Sequence, residues 1–165
     1  MSQYDTTDYL LDRANIHDTV TKLATYVDMQ QWDQLETQVI ADPINLDYTL
    51  MFGGEVESKT AQDAVAHWKT LMEPMDATQH VVTSLLISLP PPPGSMEKVE
   101  HASAIAYFLV NITKKGTTGG ENTTNGGRYE IELTKVLNTA GNPWRISTLR
   151  AVPIWYGGNT KVLFG

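Results

Sequence analysis

Tyr26-Val27-Asp28-Met29-Gln30-Gln31-Trp32 closes a long amphipathic segment and sets a phenol and a carboxylate beside its apolar stripe. Upstream, Ile16, Val20, Leu23 and Val27 recur at spacings of four, three and four, which is one face of a helix running from about Thr7 to Gln31. At ~100° per residue, Asp28 falls roughly 100° from the centre of that stripe, on the side of Ala24 and His17. Tyr26 falls about as far off on the other side. Both flank the buried face, so each reads either as a solvated edge or as a pocket residue.

Downstream, Trp32-Asp33-Gln34-Leu35 opens a second short helix, which Asp42-Pro43 breaks because the residue before a proline is pushed out of helical space. Ile44, Leu46, Tyr48, Leu50 and Phe52 then alternate with polar or smaller residues, predicting a half-buried strand with Tyr48 on the apolar face and Asp47 pointing away. Gly53-Gly54 marks a turn or bulge. Thr60 can cap a helix from Ala61 to Met72, with Asp63 in its first turn and Pro74 ending it. Trp68 lies on that helix's apolar side, as core or as ligand wall.

His80 to Leu89 reads as a strand. Alternation groups His80, Val82 and Ser84 on one face and Val81, Thr83, Leu85 and Ile87 on the other, without deciding which faces the core. Pro90 to Pro93 predicts an exposed loop. His101 to Thr113 is a long strand, apolar on both faces. Gly116 to Gly127 reads as a flexible Gly/Thr/Asn loop, lacking the strand-turn-helix setting of a phosphate loop. Arg128 to Leu137 alternates, with Tyr129, Ile131 and Leu133 inward. Asn138 to Asn142 turns, and Trp144 to Val152 is the last long strand. Pro153 to Gly158 reads as an aromatic tail whose Trp155 is placed to cap a pocket mouth. Helices, a strand, a helix and then a run of antiparallel strands predict a single α+β domain over residues 1–165, with helices on one sheet face. A strongly curved sheet closed by helices makes a conical pocket.

Composition narrows the function. The chain has 165 residues, enough for one core, and 41% of them are hydrophobic, a globular share. There is no cysteine, which removes disulfides, thiol nucleophiles and thiolate zinc sites. The net charge of -7, without a basic stripe, argues against nucleic acid. No run of about 18 apolar residues predicts a membrane span. The acidic N-terminus lacks a secretory pattern, so a cytoplasmic location is expected. His17, His67, His80 and His101 show no paired ligand spacing, and no nucleotide fingerprint is present, so neither a metal nor a cofactor is expected.

The order of these elements resembles the SnoaL-like families of the nuclear transport factor 2-like superfamily, with scytalone dehydratase as the nearest enzyme resemblance. The likeness spans Asp12 to Gly158. It rests on the Asp28-x-x-x-Trp32 step, Asp47-Tyr48, Thr78-Gln79-His80, and the Trp144 strand followed by Trp155. It implies a cone-shaped α+β barrel, a strongly curved mixed or antiparallel sheet packed on N-terminal helices. It also implies contacts between copies through an exposed sheet face, hence a homodimer or homotrimer. In scytalone dehydratase, a histidine after a Thr-Gln pair works with a second histidine on the next strand to remove a proton and expel a hydroxyl. Two tyrosines polarise the carbonyl through a water. By position His80 matches the first histidine and Tyr48 one tyrosine. Phe108 stands at the second histidine's place, and Tyr129 or Arg128 at that of a pocket asparagine. Asp28 matches the more general family aspartate before the tryptophan. Tyr48 also stands about where the superfamily's steroid isomerases carry their catalytic aspartate.

Proton abstraction next to a carbonyl needs a base of near-neutral pKa and a donor for the developing enolate oxygen. Histidine is closest to that requirement unperturbed. The expected roles are therefore His80 as base, Asp28 as its orienting partner and Tyr48 as donor, with Tyr26 a second candidate donor. Tyr26, Trp68, Phe108, Tyr129 and Trp155 would line the substrate site. The expected activity is a cofactor-free lyase or isomerase, dehydratase- or cyclase-like, acting on a small apolar carbonyl compound such as a polyketide-type secondary metabolite. The alternative is a non-catalytic small-molecule-binding or assembly protein of the same fold.

Overall fold

A computed structural model describes residues 4–89, 99–137 and 139–164. Helix α1 (Thr6–Asp28) begins at Asp5, whose carboxylate accepts the Asp8 amide in a capping box. Its stripe of Ile16, Val20, Leu23 and Val27 is buried, as the spacing predicts. Helix α2 (Trp32–Gln38) follows. Strand β1 (Ile40–Asp47) starts earlier than the break at Asp42-Pro43 suggests. It runs through that step because its pairing is interrupted there, between Ile40 and Asn45, where proline's missing donor is not needed.

The alternation holds through Ile44 and Leu46 and then fails. Thr49–Phe52 is a short helix, α3, rather than more strand. The Asp47 carboxylate accepts from both the Thr49 amide and its hydroxyl, turning the chain so that the Met51 and Phe52 amides bond back to the Tyr48 carbonyl. Gly53 and Gly54 then take positive φ in a turn. Strand β2 (Glu57–Lys59) leads to α4 (Ala61–Met72), capped by Thr60 as expected.

Strands β3 (Ala77–Ser88), β4 (His101–Thr113), β5 (Asn122–Lys135) and β6 (Trp144–Gly158) complete the sheet, and α5 (Lys161–Phe164) follows. The strand order is β2-β1-β6-β5-β4-β3, antiparallel except for the parallel pair β1–β6. Bulges in β3 and β6 bend this mixed sheet into the cone-shaped α+β form that the resemblance implied.

Three readings of the strands change. In β3 one extra residue sits between Thr83 and Leu86, and Ser84 takes φ 53°. The side chains change phase there, so Leu85 and Ile87 share the inner face with His80 and Val82, while Val81 and Leu86 are exposed. The segment read as a loop up to Gly127 is strand from Asn122 onward, paired with β4 throughout. Its glycines fit close packing: a Cβ on Gly127 would lie 2.7 Å from the Phe108 ring, and one on Gly126 would overlap the Trp155 indole. Pro153 to Gly158 is no tail but the second half of β6, paired to β5. The expected loop at Pro90 to Pro93 lies outside the described residues, as does Asn138.

The apolar interior forms two clusters. The larger packs α1 and α4 on the concave sheet face. The smaller joins Phe108, Val110 and Ile112 of β4 to Val162 of α5. No helix among the described residues is long and apolar enough to cross a membrane.

Candidate active site

Asp28 is the last residue of α1, where the helix carbonyls disfavour an anion and no basic residue compensates. Three donors from β3 hold it instead. The His80 amide donates to Oδ2 (2.6 Å), the Thr78 hydroxyl donates to Oδ1 (3.0 Å), and His80 Nδ1 lies 2.6 Å from the same Oδ1. The pair is mostly shielded, with the two side chains 20% and 14% exposed. Burial opposes the Asp28 charge, but the His80 and Thr78 hydrogen bonds outweigh it and hold the carboxyl below its ordinary range. A carboxylate depressed in the folded state contributes stability above its ordinary pKa and loses it as pH falls through the depressed one. Asp28→Asn is therefore expected to flatten the acid limb of the stability curve, read from thermal melts between neutral pH and about pH 3.

An apolar cavity opens beside this pair, with roughly 790 Å³ of atom-free space, the open solvent at its mouth included. Its walls include Leu23 and Val27 of α1, Trp68 and Met72 of α4, and Phe108 and Ile112 of β4. His80 lines it. With Nδ1 engaged by Asp28, Nε2 is the ring nitrogen left for a ligand. Tyr48 lines it too, and its hydroxyl accepts from Trp68 Nε1 at 3.1 Å, so its own proton is free to donate. Burial pushes the Tyr48 phenol up to about 12, the Trp68 bond opposing this, so it stays protonated at neutral pH. Tyr129 stacks on Phe108 at 4.4 Å, and burial raises its phenol well above the ordinary range, as do Tyr48 and Asp28. Among the described residues the wall carries no lysine, arginine, aspartate or glutamate.

Six of the eight residues singled out from the sequence meet here: His80, Tyr48, Trp68, Phe108 and Tyr129 in the wall, and Asp28 behind His80. Two do not. Tyr26 points to the other flank of α1, where its hydroxyl donates to Gln38 Oε1 at 3.3 Å. Trp155 covers Gly126 and is 44% exposed, because β6 stays paired to β5 and cannot fold back over the mouth. Met51 and Phe52 of α3 and Leu163 of α5 line the cavity in its stead.

Sequence reasoning missed Asn125. It is 3% exposed, lies in β5 opposite Val110, which is opposite His80, and lines the cavity with no side-chain partner among the described residues. Extending the inward alternation of Tyr129 back by four residues would have found it. Tyr129 lies two inward positions further along β5. Arg128 ion-pairs with Glu130 and is no part of the wall. An asparagine, Asn125, thus lies in the wall, whereas the resemblance set Tyr129 or Arg128 at the place where the enzyme has one.

Comparison with known proteins agrees with this architecture. The SnoaL-like domain model matches residues 8–150. The Kfla4162 protein of Kribbella flavida superposes with a TM-score of 0.82 at 18% identity, over 96% of this chain and 100% of that one. A protein of Novosphingobium aromaticivorans, provisionally named a scytalone dehydratase, gives 0.72 at 11% identity over 92% and 89%. The type 3 hexachlorocyclohexane dehydrochlorinase LinA of Novosphingobium barchaimii gives 0.69 at 17% over 96% and 97%. At these identities the likeness is one of fold. No curated protein matches the sequence.

Proposed function

The chain belongs to the SnoaL-like family, and from that premise we propose that it is a cytoplasmic, cofactor-free lyase or isomerase acting on a small, uncharged carbonyl compound of polyketide type. The observation that carries this is the 2.6 Å His80–Asp28 contact set in the wall of an apolar cavity. His80 Nε2 takes a proton from the carbon next to the carbonyl, and the electron pair moves to oxygen. The Tyr48 hydroxyl donates to that oxygen, and the Asn125 amide holds a second polar group of the substrate. Asp28 keeps Nδ1 protonated and stabilises the imidazolium. Collapse of the enolate then expels a β-substituent. For a hydroxyl, the imidazolium returns its proton and water leaves; returning it to another carbon completes an isomerisation. Two of the structural neighbours bear the names of elimination enzymes, which supports elimination as the reaction class. The test is a panel of β-hydroxy ketones offered to the wild type and His80→Ala. Water loss or double-bond migration by the wild type alone supports the reading. Equal turnover by both removes His80, and binding without product makes the chain a ligand-binding protein.

The outer sheet face carries a row of exposed apolar groups, Val81, Leu109 and Trp155, with Tyr107 and Ile105 on the next rows. Arg128, Glu130 and Arg150 rim it with both signs of charge. A self-complementary contact needs such an apolar centre and mixed rim, so the occupant proposed for this face is a second copy of the chain. Sedimentation is expected to give a dimer or trimer, and Leu109→Glu a monomer. A monomeric wild type counts against it.

A further inference from the structure

The chemistry above uses Tyr48 and leaves its neighbour Asp47 without a role. We propose that Asp47 and Arg150 are positioning residues that aim the Tyr48 hydroxyl into the cavity from the outer face of the sheet. The connection is a ladder of charged groups. Arg128 bonds Glu130 Oε1 at 2.9 Å, Arg150 Nη1 bonds Glu130 Oε2 at 3.1 Å, and Arg150 Nε meets Asp47 Oδ2 at 3.2 Å. Glu130, Arg150 and Asp47 are in register across β5, β6 and β1, so the sheet itself lines them up. The other Asp47 oxygen accepts from the Thr49 hydroxyl at 2.6 Å and the Thr49 amide at 3.1 Å.

Tyr48 is the residue enclosed by that turn. Its backbone sits at φ −106°, ψ 17°, outside strand geometry, and its carbonyl accepts the Met51 and Phe52 amides of α3. Without the turn, the alternation of Ile44 to Phe52 favours continued strand, and nothing directs the phenol toward Trp68. The ladder therefore selects between two local conformations, one of which presents the donor. Asp47 is only 16% exposed while Arg150 is 44% exposed, so the pair joins a shielded group to one that salt can reach.

This inference rests on Tyr48 being the donor, but its test uses no turnover, so failure of the His80 chemistry leaves it readable. The reporter is hydrogen exchange of the Trp68 indole N–H, assigned in the ¹⁵N spectrum by its loss in Trp68→Phe. Arg150→Met and Asp47→Ala are expected to speed that exchange ~2- to 10-fold, the range spanned by a weak ion pair and a lost cap. Arg150→Lys, which keeps charge but not the planar fork, should fall between. Added salt should speed exchange in the wild type and not in Arg150→Met. Unchanged Trp68 exchange in both Arg150→Met and Asp47→Ala overturns the proposal. An equal rise at the buried Trp144 indole overturns it too, since that is general loosening.

Discussion

His80→Ala is expected to lower kcat on an accepted β-hydroxy ketone by ~10²–10⁴-fold, the usual worth of a positioned general base, or about 3–5 kcal/mol in the barrier. The folded structure should survive, because His80 lines a cavity and its amide, which the substitution keeps, still donates to Asp28. Asp28→Asn should cost nearly as much by another route. An amide in that place cannot accept from all three β3 donors, and it no longer favours the Nδ1–H tautomer that leaves Nε2 free. The two losses should not add, since both remove one proton-accepting unit. Steady-state rates of the single and double variants measure this. A double variant slower by the product of the single effects would mean that Asp28 acts on its own.

The largest effect on stability is expected far from the cavity, at Asp12. It is 5% exposed and accepts from the Tyr4 hydroxyl (2.9 Å), Lys135 Nζ (2.9 Å) and Trp144 Nε1 (2.8 Å). The cluster ties the start of α1 to the end of β5 and the start of β6. Burial, then Asp12, pushes the Tyr4 phenol well above its ordinary range, so it remains a donor. Asp12→Ala leaves an indole, a phenol and an ammonium without their acceptor. Removing one member of such a buried charged set costs ~3–5 kcal/mol. At about 2–4 °C per kcal/mol for a chain of this size, the melting temperature should fall ~6–20 °C. Lys135 is 24% exposed and can reach water along its stem, so Lys135→Met should cost much less. Calorimetry on the two variants decides it, and equal losses would mean that the ion pair, not the neutral donors, dominates.

Local chemistry carried much of the fold into the sequence. Thr60 and Pro74 bounded α4, and the four-three-four spacing located the buried face of α1. Those signals are short in range and survive folding unchanged. The pairing of Asp28 with His80 came with the resemblance, since alternation alone did not decide which face of its strand His80 takes. What stayed hidden depended on partners distant in sequence. The Ser84 bulge, which brings Leu85 and Ile87 to the face of His80, leaves no mark on strict alternation. The turn at Tyr48 follows from Asp47 capping Thr49, a competition that apolar periodicity does not register. Asn125 was concealed by its neighbours: Gly126 and Gly127 look like loop residues until the Phe108 and Trp155 rings above them are known. Tyr26 and Trp155 misled for the converse reason, having suitable side chains on the wrong side of their elements.

The two apolar clusters meet across the cavity, the main one presenting Leu23, Val27 and Trp68 and the smaller one Phe108, Val110 and Ile112. A guest seated there would therefore act as a keystone between two parts of the interior that share the Tyr129 ring. Occupancy and heat resistance then become two readings of one event, because a compound that binds only the folded chain raises its melting point. A library of neutral carbonyl compounds can be ranked on a melting curve alone, with no assumption about what is made from them.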